Sequence, residues 1–122
     1  MHELSIITSV VEAVESSLRE QPQLPASARV VEVRLRVGAL ASVVRESLEF
    51  CYDLATEGTR LAGSKLVVEV QPVVVFCAPC GVESKLDGVQ SLRCPRCGQA
   101  TGDLRAGREL EIACYEIDDG RA

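Results

Sequence analysis

The chain has 122 residues, 47% of them hydrophobic and 25% charged, the balance of one globular domain or of a domain with a small inserted module. Its net charge of −5 argues against nucleic acid as a partner, since such binding relies on Lys and Arg neutralising phosphates. Aromatic residues are 3% and Trp is absent, so the core must be built from Val, Leu, Ile and Ala.

The first fifteen residues hold no Lys or Arg and include Glu3, Glu12 and Glu15, which a secretory signal would not tolerate. The longest apolar stretch, Val73–Phe76, is far too short to span a bilayer. The expected setting is a reducing cytoplasm, which suits unpaired thiols.

Leu4, Ile7, Val11, Val14 and Leu18 recur at helical spacing and predict an amphipathic helix over 4–20, ended by Pro22 and Pro25. Val31, Val33, Leu35 and Val37 alternate with Glu32, Arg34 and Arg36, the pattern of a half-buried strand closed by Gly38. A second helix is expected over 43–57, capped by Ser42 and stopped by Gly58. Its buried stripe reads Val44, Leu48, Cys51 and Ala55, with Phe50 and Leu54 alongside. Leu66–Val70 and Leu110–Ile117 read as two further strands, and the polar tail 118–122 as a frayed end. Cys51 and Cys114 fall on apolar stripes and read as small core hydrophobes.

The expected fold is α+β: a three-stranded sheet with two helices packed on one face, plus a small zinc-ribbon module inserted before the last strand. Residues 1–72 and 108–122 would form the first domain and 73–107 the metal module.

Inside that insert stand Cys77-Ala-Pro-Cys80-Gly81 and Cys94-Pro-Arg-Cys97-Gly98. Two C-x-x-C hooks at this separation read as one tetrahedral metal site, with a glycine after each hook where the turn needs positive φ. Four soft thiolates favour zinc. They also close the coordination sphere, so the site is structural. The module's apolar residues, chiefly Val82, Leu86, Val89 and Leu92, are too few for a core, so the metal must supply its folding free energy.

The only histidine is His2, within Met1-His2-Glu3-Leu4-Ser5. A lone histidine at a chain end can be an accident. Yet a free α-amine, the amide of residue 2 and the same residue's imidazole can wrap one metal in fused chelate rings. Nickel(II) and copper(II) favour such square-planar nitrogen ligation. The first amides of a helix lack intrahelical partners, so using one as a ligand breaks no helical bond. Glu3 adds a carboxylate that offsets the cation.

Met-His-Glu-Leu-Ser at the start, Val37-Gly38-Ala39-Leu40, Glu46-Ser47-Leu48-Glu49-Phe50, Gly58-Thr59, the paired hooks and the closing Gly107-Arg108-Glu109-Leu110-Glu111-Ile112 run in this order along the chain. Together they resemble the HypA/HybF nickel-insertion proteins, which mature nickel–iron hydrogenases. The resemblance implies nickel(II) as transient cargo, held by Met1, His2 and Glu3, and a structural zinc on Cys77, Cys80, Cys94 and Cys97. It implies a HypB-type GTPase and the hydrogenase large subunit as partners, no nucleic acid, no membrane, and a monomer or weak homodimer. Some relatives also assist urease. Some flank the zinc hooks with histidines, and this chain does not.

No nucleophile–base pair can be nominated, so an enzyme is not expected. Two other readings stay open. One is a zinc-ribbon interaction module with His2 incidental. The other is a rubredoxin-like iron electron carrier, suggested by Cys-Pro-Arg-Cys-Gly, though the hooks are close for that fold and aromatic shielding is scarce.

Overall fold

The computed structural model describes residues 3–41, 43–88 and 91–119. Met1, His2, the expected cap Ser42, Val89 and the last three residues of the tail lie outside them. Two compact units emerge. The first comprises Met1–Leu35, Val43–Val68 and Ile112–Ala122; the second comprises Arg36–Ser42 and Glu69–Glu111.

In the first unit, α1 (Glu3–Arg19) buries Ile6, Ile7, Val10, Val11, Val14 and Leu18. This stripe is broader than the expected one, and Leu4 leaves it, at 49% exposed. The helix packs against α2 (Arg45–Ala55), whose buried face is Leu48 and Tyr52. That corrects the expected stripe: Val44 is 52% exposed and Cys51 only partly covered. Tyr52 can be buried because its hydroxyl meets Ser64 Oγ at 2.6 Å, so no polar group is stranded. Val44 occupies the N-cap position and offers no side-chain bond. At the other end the Thr56 hydroxyl donates to the Tyr52 carbonyl, satisfying one of the orphan acceptors of the last turn. Gly58 follows with φ of 75°.

Strands β1 (Arg29–Gly38), β2 (Lys65–Gln71) and β6 (Leu110–Asp118) form a sheet in the order β2-β1-β6. Every second residue of β1 is buried from Val33 to Val37. Before that the phase slips: Val30 is 2% exposed and Val31 45%, the reverse of the expected alternation. The Val30 amide donates to the Arg60 carbonyl at 3.0 Å, which fixes the strand entry with Val30 inward. On edge strand β6, Tyr115 shares a hydrogen bond with Ser17 and accepts one from Gln21, both near the C-terminal end of α1. Cys114, one residue before Tyr115, is consequently exposed and is not a core residue.

The second unit holds a sheet the sequence patterns had not indicated, ordered β4-β3-β5, from β3 (Val74–Cys77), β4 (Val82–Lys85) and β5 (Leu104–Ala106). Its core is Val73 and Val75, both at or below 1% exposure; Val82, Leu86 and Leu92 are only partly buried. In the same unit two glycines approach face to face. The Gly38 amide donates to the Glu109 carbonyl at 2.7 Å, and the Leu40 amide to the Gly107 carbonyl at 2.8 Å. Gly107 has φ of 120°, a conformation that side chains resist, and the Glu109 carboxylate accepts its amide.

Candidate metal centre

The β3–β4 hairpin carries the first hook. Its antiparallel register pairs Phe76 with Glu83 and Cys77 with Val82, so the chain must reverse within Ala78–Gly81. The Gly81 amide donates back to the Cys77 carbonyl at 2.7 Å, and Gly81 takes φ of 67°. The second hook repeats this: the Gly98 amide donates to the Cys94 carbonyl at 2.8 Å, and Gly98 has φ of 76°. Its base is closed by the Cys94 amide on the Gln99 carbonyl at 2.9 Å and by bridge pairing of Arg93 with Ala100.

Thr101 joins the two hooks. Its hydroxyl donates to the Phe76 carbonyl at 2.6 Å, and its amide donates to the Leu92 carbonyl at 2.9 Å. Arg105 lies over the Phe76 ring at 4.5 Å while pairing with Asp103 at 3.0 Å. Sequence reasoning missed both residues. A threonine four positions after a C-x-x-C hook has no signature of its own.

The four Sγ atoms of Cys77, Cys80, Cys94 and Cys97 all lie within 4.8 Å of one another. Cys77 and Cys97 are 3.6 Å apart, Cys80 and Cys94 3.9 Å. A tetrahedral ion with metal–sulfur bonds of about 2.3 Å requires sulfur–sulfur edges of about 3.8 Å. The donor set therefore fits such an ion in number, kind and spacing.

The thiols' acidities are pulled apart. Backbone amides of Cys97 and Arg96 pointing at Cys94 bring its pKa down to about 7. The sulfurs of Cys97 and Cys77 push Cys80 up to about 12. Four thiolates cannot crowd together at neutral pH unless a cation compensates them. Burial is uneven: Cys77 and Cys94 are buried, Cys80 is partly covered and Cys97 is exposed.

Of the other candidate residues, Glu3 opens α1 and is partly buried, while Met1 and His2 lie outside the described residues. No described helix is long and apolar enough to cross a membrane.

The sequence profile of a family described as hydrogenase/urease nickel incorporation, metallochaperone HypA, matches residues 1–117. A hydrogenase maturation factor HypA of Streptomyces avermitilis is 44% identical over 121 residues, covering 99% of this chain and 90% of that protein. Its counterpart in Chloroflexus aurantiacus is 43% identical over 116 residues, covering 95% and 98%. The fold matches the solution structure of the nickel metallochaperone HypA from Helicobacter pylori with TM-score 0.65 at 17% identity, over 96% of this chain and 97% of that one. The chain thus belongs to the HypA family of nickel-incorporation metallochaperones, and is a maturation factor rather than a catalytic enzyme.

Proposed function

We propose that this chain carries nickel(II) at its N-terminus and helps insert it into the large subunit of a nickel–iron hydrogenase, handing over with a HypB-type GTPase. The observation that carries this reading is the family match, which begins at residue 1 and so includes Met1-His2-Glu3. The chemistry of those residues supports it. The α-amine, the residue-2 amide and the imidazole supply the nitrogen donors that nickel(II) favours. Glu3 stands in the first turn of α1, where amides have no intrahelical acceptor and negative charge suits the helix dipole.

Cys77, Cys80, Cys94 and Cys97 would hold a zinc ion, which brings the second unit its cross-link and no redox chemistry. Thr101 and the two glycine turns set the hooks at the spacing that ion needs. The two metals are then divided by ligand type: nitrogen donors at a chain end for cargo, thiolates within folded chain for structure.

Nickel titration of the untagged protein against its His2→Ala variant tests the reading. Stoichiometric binding by wild type and none by His2→Ala supports it, with unchanged metal at the thiolates. Equal nickel affinity in the two proteins overturns it. A tag fused before Met1 would block the amine and must be absent.

A further inference from the structure

The first unit leaves an apolar groove open along α1 and α2. Leu48 and Tyr52 point α2 inward, and Phe50, two residues from each, is forced to the opposite side of the helix. Phe50 is 67% exposed, Leu54 one turn on is 52%, and Leu4 of α1 is 49%. Leu4 lines both halves of the groove, beside Phe50 in one and Leu54 in the other. An aromatic ring this bare on a chain with two Phe is an anchor awaiting a cover.

The lining also carries a sign. Glu12 and Glu15 stand in one half and Glu3 and Glu46 in the other, against Arg19 alone. The whole chain is at −5, so a second copy would bring the same charge to the same groove. An anionic lipid surface would be repelled for the same reason. The complementary occupant is a helix with an apolar stripe and basic flanks.

We infer that the α1–α2 groove is a docking site for a basic amphipathic helix of a partner protein, with Phe50 and Leu54 as anchors and the flanking glutamates setting orientation and salt dependence. The groove shares Glu3 with the proposed nickel site, but its apolar anchors Phe50 and Leu54 lie outside that site and need no nickel to bind.

The test uses a synthetic 18-residue Leu/Lys peptide, leucines at helical spacing and lysines elsewhere. Its controls are the same composition scrambled and a Leu/Glu peptide of the same pattern. Each is titrated into the full-length protein while amide and methyl signals are followed by NMR. The expected result is binding by the Leu/Lys helix alone, with shifts gathered at Leu4, Phe50 and Leu54. Affinity should fall tenfold or more in Phe50→Glu and several-fold between 50 and 500 mM salt. Phe50 is exposed, so Phe50→Glu should keep its melting temperature; Leu54→Ser gives a second, independent reading. Equal binding by the scrambled peptide, shifts elsewhere, or undiminished affinity in both variants overturns the proposal. So does a concentration-dependent dimer that Phe50→Glu dissolves, or adsorption to phosphatidylserine vesicles through the same residues.

Discussion

Cys94 and Cys80 face one another across 3.9 Å yet lean in opposite directions, one thiol down to about 7 and the other up to about 12. The difference comes from which of them receives backbone amides. At the proposed nickel site the donors would instead be an amine and an imidazole, whose ordinary pKa values are about 7.7–8.0 and about 6.5. Both must lose protons to bind metal. Nickel affinity should therefore fall steeply as pH drops from about 8 to 6, with protons released on binding. Isothermal titration in two buffers of different ionisation heat measures that release. A flat profile would point to carboxylate or thiolate donors. His2→Ala should remove nickel binding while changing stability by no more than about 0.5 kcal/mol, since the buried residues of α1 begin only at Ile6. The four cysteines were legible because two short hooks encode their own geometry. Thr101 and Arg105 were not, because their roles arise only when residues 25 and 29 positions apart meet at Phe76.

The two helices and the β2-β1-β6 sheet were legible from periodicity, with α1 found within one residue of its expected ends. The errors fell in which residues turn inward, at Leu4, Val31 and Val44 among others. The expected stripe of α2 joined Leu48 to Val44, Cys51 and Ala55, whereas the buried pair is Leu48 and Tyr52, whose hydroxyl Ser64 satisfies. The β4-β3-β5 sheet escaped notice because its strands run only three or four residues, too short for alternation to register. Tyr52 makes a further prediction. Burial raises its pKa above the ordinary 10.0, with Asp53 adding to the rise and the bond to Ser64 opposing it. The folded state thus prefers the neutral phenol. That preference is intact below pH 10 and is lost as pH climbs through the raised value, so stability should decline on the alkaline side. Tyr52→Phe should cost about 1 kcal/mol at neutral pH and blunt that decline, readable from urea melts at pH 7 and pH 11. A second prediction concerns Gly38. A Cβ there would land inside the carbonyl group of Gly107 and on the amide nitrogen of Arg108. Backbone must move, so Gly38→Ala should destabilise by about 3 kcal/mol, whereas Gly88→Ala, with open space around it, should be near neutral. Val37-Gly38 and Gly107-Arg108-Glu109 had been noted only as separate motifs; the fold makes them one joint.

For the whole molecule, the two units rest on different kinds of stabilisation. The first buries a run of large aliphatic side chains with Tyr52, while the second has Val37, Val73 and Val75 beside two buried cysteines. Removing the thiolate-bound metal with a chelator, or introducing Cys94→Ala, should therefore strip amide-exchange protection from the segment between Leu92 and Thr101. Protection within α1 should persist. Loss of protection in both regions at once would mean that the units unfold as one.

Exposure rises from Cys94 at 1% and Cys77 at 2% through Cys80 to Cys97, the one residue of the four that is exposed. A competing ligand would reach a bound ion most readily past Cys97. Exchange should therefore begin by displacement at Cys97, with a rate first order in the competitor and governed by its bulk. A small dithiol would strip the centre quickly. A large chelator of equal affinity would wait on spontaneous opening, leaving the site kinetically guarded even where it is thermodynamically outbid.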